Sequence, residues 1–369
     1  MKRICYIVSD IDRSLAFEWI VKNLDSKRFH LRFILLNPGP SALEKYLIET
    51  QVPFIRINAD GSLGLISAWI QVWWHLLIHR PHIVHCHMRK AKLIGISASF
   101  LSLISRRIYT RHSADYNHKY HPHAVKYDRL VNTLSTDIVA ISKNVEEVLT
   151  QDEKAAPQKI HRIPHGFDLK GFQEVDARRI LALKTKWELE GDRTCIGVIS
   201  RMLELKGFQY IIPAIARLQK QGVKCTLVIA NARGPYLDHV KRLIAEHALD
   251  DVRLIPFEHD IQALYHCFDI FLHTPIDRRS EAFGQTYVEG LAAGIPSVFT
   301  LSGVAPEFIT DSHNALVVPH CDKEAISDAI QRLLEDEHLR SELSRQGKES
   351  VKIFALDTFI QRLESLYGH

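Results

Sequence analysis

The sequence predicts an α/β protein built from two doubly wound, Rossmann-like domains. Short runs of β-branched and other apolar residues alternate with helix-length segments along the whole chain. These runs form two series, one beginning with RICYIVS at residues 3–9 and the other with CIGVIS at residues 195–200. Continuous apolar strands separated by helices are typical of parallel sheets covered on both faces. Each sheet is expected to bind ligands beyond the carboxyl ends of its strands, which predicts a site in a cleft between two facing domains.

The individual strands can be read in chain order. In the first half they are RICYIVS, LRFILL, HIVHC, RIYTR and DIVAIS, and in the second half CIGVIS, CTLVIA, VRLIPF, DIFLHT and IPSVFT. The glycines, proline and mixed charge of residues 164–179 predict a linker. The predicted domains are therefore residues 1–170 and 171–350. Residues 351–369 follow as a helix that packs back toward the first domain, because Phe359, Leu363 and Leu366 lie on one helical face.

The composition is that of a globular cytoplasmic protein. Apolar residues make up 46% and charged residues 24% of the 369 positions, which excludes wholesale disorder. The six cysteines are scattered without a CxxC, so reduced thiols are expected rather than disulfides or a zinc site. No secretory signal is recognised. The apolar stretch at residues 63–78 is shorter than the ~20 residues of a spanning helix, and it predicts a buried or interfacial helix.

The charge is unevenly distributed along the chain. Residues 1–185 carry 27 Lys and Arg against 17 Asp and Glu, whereas the remaining residues carry 20 against 26. Residues 80–129 alone contain ten basic and two acidic side chains, and Trp69, Trp73 and Trp74 come shortly before them. This pattern fits a peripheral contact with an anionic membrane surface, on the inner face of the cytoplasmic membrane. The alternative is that the tryptophans are core residues and the basic surface is merely solvated. Nucleic-acid binding is disfavoured by the acidic second half.

The segment GVISRMLELKG follows the first strand of the second domain. Arg201 and Lys206 flank a turn into a helix that is predicted to begin near Gly207. A helix N-terminus with two cations is suited to a diphosphate, and two solvated surface charges are the alternative.

The segment SEAFGQTYVEG holds two glutamates, Glu281 and Glu289, eight residues apart. The helix is predicted to run from near Gly284 to Ala293, with Gly294 as its C-terminal cap. Carboxylates accept hydrogen bonds from paired sugar hydroxyls, and amides at a helix start bind phosphate oxygens. The arrangement therefore favours a nucleotide sugar, although the same spacing of glutamates arises often by chance.

Four segments together resemble the retaining GT-B-fold glycosyltransferases with an E-x7-E motif, of the family 4, group 1 type. They are IPHGFDLKGF, ISRMLELKG, SEAFGQTYVEGLAAGIPSV and SGVAPEFITDSHNALVV, in that order along most of the chain. The resemblance implies a hexosyltransferase that takes its sugar from a UDP- or GDP-linked donor. The acceptor would be a hydroxyl of a lipid-linked or polysaccharide molecule, in the synthesis of lipopolysaccharide, capsule or glycolipid. It also implies no cofactor and no metal.

The resemblance assigns roles to individual residues. Arg201 and Lys206 would hold the donor diphosphate, Glu281 the transferred sugar and Glu289 the ribose. His112 would lie beside the reacting sugar. Further donor contacts are expected at Phe283, Gly284, Gln285, Thr286, Phe257, Glu258 and Ile261. Acceptor-side candidates are Asp10, Arg13, Arg111 and Asn117. The seven histidines between residues 82 and 123 match no closed zinc spacing, so no metal site is predicted.

The chain departs from the family pattern in two loops. The loop after the first strand reads SDIDRS, without the family's glycines, and the family's G-x-G in the second domain is replaced by NARG. Three other functions stay open at this point. They are a transferase acting on a small soluble acceptor, a GT-B-fold sugar-nucleotide epimerase, and a binding module without catalysis.

Overall fold

The computed structural model describes residues 1–368 and divides into two compact units. Unit 1 comprises Met1–Phe167 together with the C-terminal segment from Leu356, and unit 2 comprises Asp168–Ala355. The change of unit at residues 167–168 falls inside the segment with linker composition. The C-terminal helix begins at Leu356, five residues after the predicted start of that segment.

Unit 1 is built on a seven-stranded sheet in which every neighbouring pair is parallel. The strand order is β3-β2-β1-β4-β5-β6-β7. The strands are β1 Lys2–Ser9, β2 Phe29–Leu36, β3 Phe54–Arg56, β4 Ile83–His87, β5 Arg106–Arg111, β6 Asp137–Ala140 and β7 Ile160–Arg162. Because the strands are parallel, their carboxyl ends meet at one edge of the sheet.

Seven helices connect these strands. They are α1 Leu15–Asn23, α2 Ala42–Glu49, α3 Gly61–His79, α4 Arg89–Leu101, α5 Tyr116–Tyr120, α6 Val125–Leu134 and α7 Lys143–Glu147. The first two begin after serines in extended conformation, as N-caps prefer, and the Ser41 side chain accepts a hydrogen bond from the Glu44 amide.

The sequence predicted that the apolar stretch of α3 is either buried or interfacial, and most of this helix is not buried. Only Ala68, Val72 and Leu76 are buried along its 19 residues. The opposite face is an apolar stripe, which we call the α3 stripe; it consists of Leu63, Ile66, Ile70, Trp74 and Ile78, all exposed. By length and composition α3 is also the one helix within residues 1–368 that could cross a membrane. The helix is therefore not a core helix, and Trp74 is not a core residue.

Unit 2 is built on a six-stranded parallel sheet with the order β10-β9-β8-β11-β12-β13. Its strands are β8 Thr194–Ile199, β9 Cys225–Ala230, β10 Val252–Ile255, β11 Ile270–His273, β12 Ser297–Phe299 and β13 Leu316–Val317. Its helices are α8 Leu169–Gln173, α9 Ala177–Lys186, α10 Phe208–Lys220, α11 Leu237–Glu246, α12 Ile261–Tyr265, α13 Gln285–Ala293, α14 Lys323–Glu335 and α15 Glu337–Ser350. The fully apolar strands are buried between helices, as two-sided coverage requires.

The last helix, α16 Leu356–Gly368, belongs to unit 1. Its Ile360, Leu363 and Leu366 are buried in the same core as β1 and β2. Its Tyr367 hydroxyl bonds to Tyr6 and to His85 of β4. A segment distant in sequence thus completes the core of the first unit.

All ten predicted strands are confirmed, and three strands were missed. The missed strands β3, β7 and β13 have two or three residues each and lie at the edges of their sheets. Such short strands carry too few residues to show a period of two, so no sequence pattern marks them.

Candidate active site

Two loops at the carboxyl edge of the unit 2 sheet hold the residues singled out from the sequence. Strand β8 leads into Arg201 and Lys206, and strand β11 leads into Glu281 and helix α13. Strands β8 and β11 are hydrogen-bonded neighbours, so both loops leave the sheet side by side. Residues separated by 75 positions in sequence are therefore brought together.

A glycine permits the close approach of these loops. Gly207 precedes α10 with a φ of 81°, in the left-handed region. A Cβ atom placed on it would lie 2.1 Å from the carbonyl oxygen of Thr274, directly after β11. Any other residue would push the 3₁₀ turn Glu204–Lys206 away from the end of β11. The K-G pair of the motif thus fixes the position of Lys206.

Lys206, Glu281 and His273 form a compact buried cluster. One carboxylate oxygen of Glu281 accepts from the Lys206 ammonium, and the same oxygen lies 3.0 Å from His273 Nε2. The Glu281 amide donates to Ser302 Oγ over 2.9 Å, which fixes its backbone. Burial alone would raise the pKa of Glu281, but the Lys206 charge and the His273 bond outweigh it and lower the pKa to about 2. Glu281 is therefore a permanent carboxylate at neutral pH.

Glu289 lies in the second turn of α13 and has no cationic partner among residues 1–368. The hydroxyl of the buried Tyr265 donates to its Oε2 over 2.8 Å. Burial raises the pKa of Glu289 to about 7, and the Tyr265 bond opposes this rise only in part. The second glutamate of the motif is thus poised between its charged and neutral forms at physiological pH.

The start of α13 presents unsatisfied donors. The helix begins at Gln285, after Gly284 in the left-handed conformation with a φ of 85°, and ends before Gly294, as predicted. The first-turn amides of Gln285 and Thr286 have no carbonyl four residues earlier within the helix. The Thr286 Oγ1 atom is buried and has no hydrogen-bond partner among the described residues. The helix start therefore offers donors for an anionic or hydroxyl-rich ligand.

Arg201 follows β8 with an exposed side chain, for which no hydrogen-bond or ion-pair partner lies within residues 1–368. Its loop is braced by the NARG loop at residues 231–234. The Met202 amide donates to the Arg233 carbonyl over 2.8 Å, and a Cβ on Gly234 would meet the Met202 oxygen at 2.4 Å. A guanidinium held at a fixed loop without a carboxylate is available to an anionic ligand.

The loop after β10 was expected to meet the base of a nucleotide. The Phe257 ring is exposed, with the Arg233 guanidinium 4.8 Å from its centroid. The Glu258 carboxylate accepts hydrogen bonds from Lys186 and from the Trp187 indole, and its contact with a nucleotide base stays a prediction. Ile261 is the first residue of α12 and is half-buried.

In unit 1, His112 directly follows β5 and is half-buried. Its Nε2 lies 3.1 Å from Nδ1 of His87, the last residue of β4, and its ring stacks on His165 at 5.5 Å. Burial and the neighbouring imidazoles hold the pKa of His112 well below its usual value. His112 is therefore a neutral imidazole.

Arg111 and Asn117 take part in a buried network instead of lining an open acceptor site. Arg111 is 1% exposed and pairs with Glu153 at 2.6 Å and with Asp128 at 3.1 Å. It also donates to the Ser113 carbonyl, while Asn117 donates to Asp128 over 2.7 Å. Both side chains hold the loop that follows His112, and a direct contact of either with an acceptor stays a prediction.

The two remaining acceptor-side candidates lie in the loop after β1. Asp10 has a φ of 53° and pairs with Lys90, and Arg13 pairs with Glu18. Asn231, in the other loop without the family's glycines, has a φ of 59°. In both loops that differ from the family pattern, an Asp or Asn adopts the left-handed backbone conformation that usually requires glycine. After glycine, these residue types tolerate that conformation best.

The histidine-rich stretch does not assemble into a metal centre. Within residues 1–368, no group of three or more His, Cys, Asp or Glu side chains is placed to hold a metal ion. His118 Nε2 lies 3.4 Å from Glu153 at the rim of the Arg111 network.

Three partners of the candidate site were not recognised from the sequence. His273 orients Glu281, Tyr265 orients Glu289, and His87 orients His112. The one available signal was position, since His273 and His87 are the last residues of strands that end at the sheet's carboxyl edge. Tyr265 carried no signal, because its contact depends on how α12 packs beside α13.

Two family models match the chain and together span most of it. The model for glycosyltransferase family 4 matches residues 20–170, and the model for glycosyl transferases group 1 matches residues 180–350. The capsular polysaccharide biosynthesis glycosyltransferase CapM of Staphylococcus aureus is 26% identical over 318 residues, which is 79% of this chain and 78% of CapM. The GDP-mannose-dependent alpha-(1-6)-phosphatidylinositol monomannoside mannosyltransferase of Mycolicibacterium smegmatis is 30% identical over 54% of this chain and 52% of its own length.

Solved structures agree on the fold. HepE of Anabaena, crystallised with UDP and glucose, superposes with a TM-score of 0.86 at 19% identity over 100% of both chains. WaaG, a glycosyltransferase involved in lipopolysaccharide biosynthesis, superposes with a TM-score of 0.73 at 15% identity over 99% of this chain and 98% of its own. The chain has the GT-B fold, and it belongs to the glycosyltransferases of the family 4, group 1 type.

Proposed function

We propose that this glycosyltransferase moves a hexose from a UDP- or GDP-linked donor to a hydroxyl of a lipid-linked or polysaccharide acceptor, with retention of configuration. The proposal rests on the positions of Glu281 and Glu289, which lie before and after the open start of α13. Both carboxylates are held by buried partners, and the donors between them are unsatisfied. A ligand with hydroxyls at both ends and phosphates between them satisfies all of these groups.

The nucleotide is assigned to the Glu289 end of the site. A carboxylate can accept from both hydroxyls of a ribose, and Tyr265 holds its orientation. The diphosphate is assigned to Arg201, Lys206 and the first-turn amides of α13. HepE was crystallised with UDP, whereas the mycobacterial relative uses GDP-mannose, so both bases are retained in the proposal.

The transferred sugar is assigned to the Glu281 end. With a pKa of about 2, Glu281 accepts hydrogen bonds from sugar hydroxyls and does not act as a general acid near neutral pH. Arg201, Lys206 and the helix start supply the fixed positive charge that a departing diphosphate requires. The acceptor hydroxyl attacks the anomeric carbon from the side of the leaving phosphate, so a new carbon–oxygen bond forms as the bond to the phosphate breaks. The hydroxyl proton passes to the departing phosphate oxygen, and the configuration is retained without a protein nucleophile.

His112 is assigned a supporting role beside the reacting sugar. Its imidazole is neutral, so it offers a hydrogen bond to a hydroxyl rather than a positive charge. Since one ring nitrogen is 3.1 Å from His87, only the other is open to a substrate. A double role as acid and base is therefore not part of the proposal.

The acceptor side is proposed to face a membrane. The α3 stripe is apolar over about 23 Å of helix from Leu63 to Ile78, at a rise of 1.5 Å per residue. Between residues 61 and 136 the only carboxylates are Asp115 and Asp128, and both are buried. An apolar stripe within a cationic surface favours an anionic bilayer. Co-flotation with phosphatidylglycerol vesicles tests this contact by comparing wild type with Ile70→Asp; equal flotation contradicts it.

The transferase proposal is tested by product analysis. The purified protein is incubated with UDP- and GDP-hexoses and a lipid extract that supplies lipid-linked acceptors, and the product's anomeric configuration is read by NMR. We expect one donor to give a product with retained configuration, lost in Glu281→Gln. An inverted product contradicts the mechanism. Conversion of the donor without any acceptor would identify the epimerase alternative.

A further inference from the structure

A cavity in unit 1 lies far from the His112 edge of the sheet, at the amino ends of its strands. It has a volume of about 120 Å³ and opens between β1, β2 and the last turns of α3. Its polar lining consists of Arg3, His30, Arg32, His75 and His79. Because parallel strands place their carboxyl ends at one edge, this cavity is separate from the residues assigned to sugar transfer.

The cavity is lined by cationic or potentially cationic groups and by no carboxylate. Neither Arg3 nor Arg32 has an acidic side chain within ion-pair distance among residues 1–368. The Arg3 guanidinium donates to the Arg80 carbonyl over 2.8 Å, and the Arg3 amide donates to His82 Nδ1 over 2.9 Å. Elsewhere in unit 1, the half-buried Arg106 pairs with Asp137 and the buried Arg111 with Glu153. A cationic cavity without a counter-charge is suited to an anion.

Arg32 has only weak partners at present. Its Nη1 lies 3.4 Å from Nε2 of His75 and 3.2 Å from Nε2 of His79. The Arg32 charge and burial both lower the pKa of the two imidazoles, that of His75 to about 4. A guanidinium normally binds an oxyanion with two parallel hydrogen bonds, and long contacts to two imidazoles do not replace such a ligand.

The position of the cavity indicates what carries the anion. His75 and His79 belong to α3, whose other face is the α3 stripe with exposed Trp74 and Ile78. The cavity wall and the apolar stripe thus belong to one helix, so a membrane lipid is one source of the anion to be tested. Water alone needs only about 10–15 Å³, so the cavity is larger than a single solvent site.

We propose that this cavity is a phosphate-binding site, with Arg32 and Arg3 as its charged ligands and His75 and His79 as its supporting walls. The shared chemistry is a phosphate mono- or diester, carried by a membrane lipid or free in solution. The site does not depend on the proposed transferase function, since none of its residues belongs to the donor or sugar machinery.

The test compares Arg32→Gln with Lys126→Gln, which removes an equal charge from the same basic surface outside the cavity. Vesicles of phosphatidylcholine with phosphatidylglycerol probe the lipid source, and inorganic phosphate at up to 10 mM, read by thermal shift and calorimetry, probes the free source. UDP and GDP binding is measured in parallel. Unchanged nucleotide affinity of Arg32→Gln separates this site from the donor site, and a melting curve shows that the variant is folded.

We expect Arg32→Gln to weaken vesicle binding at least tenfold, because a charge-assisted hydrogen bond is worth ~1.5–3 kcal/mol. Lys126→Gln should cost no more than about fivefold, the effect of one surface cation at ~1 kcal/mol. Stabilisation of the wild type but not of Arg32→Gln by inorganic phosphate, with equal vesicle binding, would also support the site and assign it to free phosphate. If Arg32→Gln and His79→Gln both bind vesicles and inorganic phosphate as well as Lys126→Gln does, the proposal is overturned.

Discussion

The loop before α13 contributes the buried Glu281 and the second turn of α13 contributes the half-buried Glu289, and their surroundings differ. Glu281 meets the Lys206 ammonium and His273, and its pKa falls to about 2. Glu289 meets only the Tyr265 hydroxyl, and its pKa rises to about 7. The same residue type in one motif thus gives a fixed charge at one end and a titratable group at the other. The partners that the fold supplies, and not the spacing, decide which is which.

Replacing Lys206 removes the ammonium beside Glu281, and we expect this change to have the largest effect. Lys206→Ala removes the ammonium partner of the buried Glu281 carboxylate, so we expect the free energy of unfolding to fall by about 3–5 kcal/mol. Chemical denaturation at pH 7 measures the loss. Glu281→Gln in the Lys206→Ala background should recover most of it, because no charge then remains buried. Equal destabilisation of the single and double variants would show that the pair does not stabilise unit 2.

Removing each carboxylate in turn separates the two proposed roles. Glu289→Ala should weaken the binding of a nucleoside diphosphate about tenfold or more, since hydrogen bonds to a charged group are worth ~1.5–3 kcal/mol. Glu281→Ala should weaken it less, because it leaves the ribose contact intact and frees Lys206 for the phosphates. Isothermal calorimetry with UDP and GDP gives both values. Equal affinities in the two variants and the wild type would refute the assignment of the ribose to Glu289.

Lowering the pH should weaken nucleotide binding through Glu289 and not through Glu281. A ribose diol prefers the ionised carboxylate, so nucleotide affinity is complete above the pKa of about 7 and declines as the pH falls below it. Between pH 8 and pH 6 we expect a decrease of about tenfold. Glu289→Gln provides the matched control, because any remaining pH dependence comes from the phosphates themselves. An identical pH profile in the wild type and Glu289→Gln would contradict the raised pKa.

Removing the Tyr265 hydroxyl should produce the smallest change. Tyr265→Phe takes away the hydrogen bond that stabilises ionised Glu289, so its pKa rises further and the midpoint of the affinity profile moves to higher pH. At pH 7 we expect a loss of affinity of about three- to fivefold, from one hydrogen bond worth ~1 kcal/mol. Full recovery at pH 9 would distinguish this effect from damaged packing, whereas a loss that is the same at all pH values would indicate damage.

The sequence was sufficient for the fold and for the positions of the motifs. Apolar strands separated by helices predicted both parallel sheets, and Gly284 and Gly294 predicted the limits of α13. The short edge strands escaped because two or three residues define no period. The partners His273 and Tyr265 escaped because they come from other elements and meet the glutamates only in the folded chain.

Burial was the property that sequence patterns predicted least well. Arg111 was expected on the acceptor side. Its guanidinium instead pairs in the interior with Asp128 of α6 and with Glu153. Glu258 was expected at a base, and it pairs with Lys186 of α9. Helix α3 shows the reverse, since its apolar composition suggested a buried or interfacial helix and its stripe is exposed. In each case long-range packing decided the outcome.

The central claim is that the β8 and β11 loops of unit 2 bind the diphosphate of a nucleotide sugar. Calorimetric titration of the wild type and Arg201→Ala with UDP, GDP and their monophosphates tests it most directly. The account predicts micromolar binding of one diphosphate, at least tenfold weaker in Arg201→Ala, with little change for the matching monophosphate. Absence of binding to every nucleotide, or equal diphosphate affinity in Arg201→Ala, would contradict it.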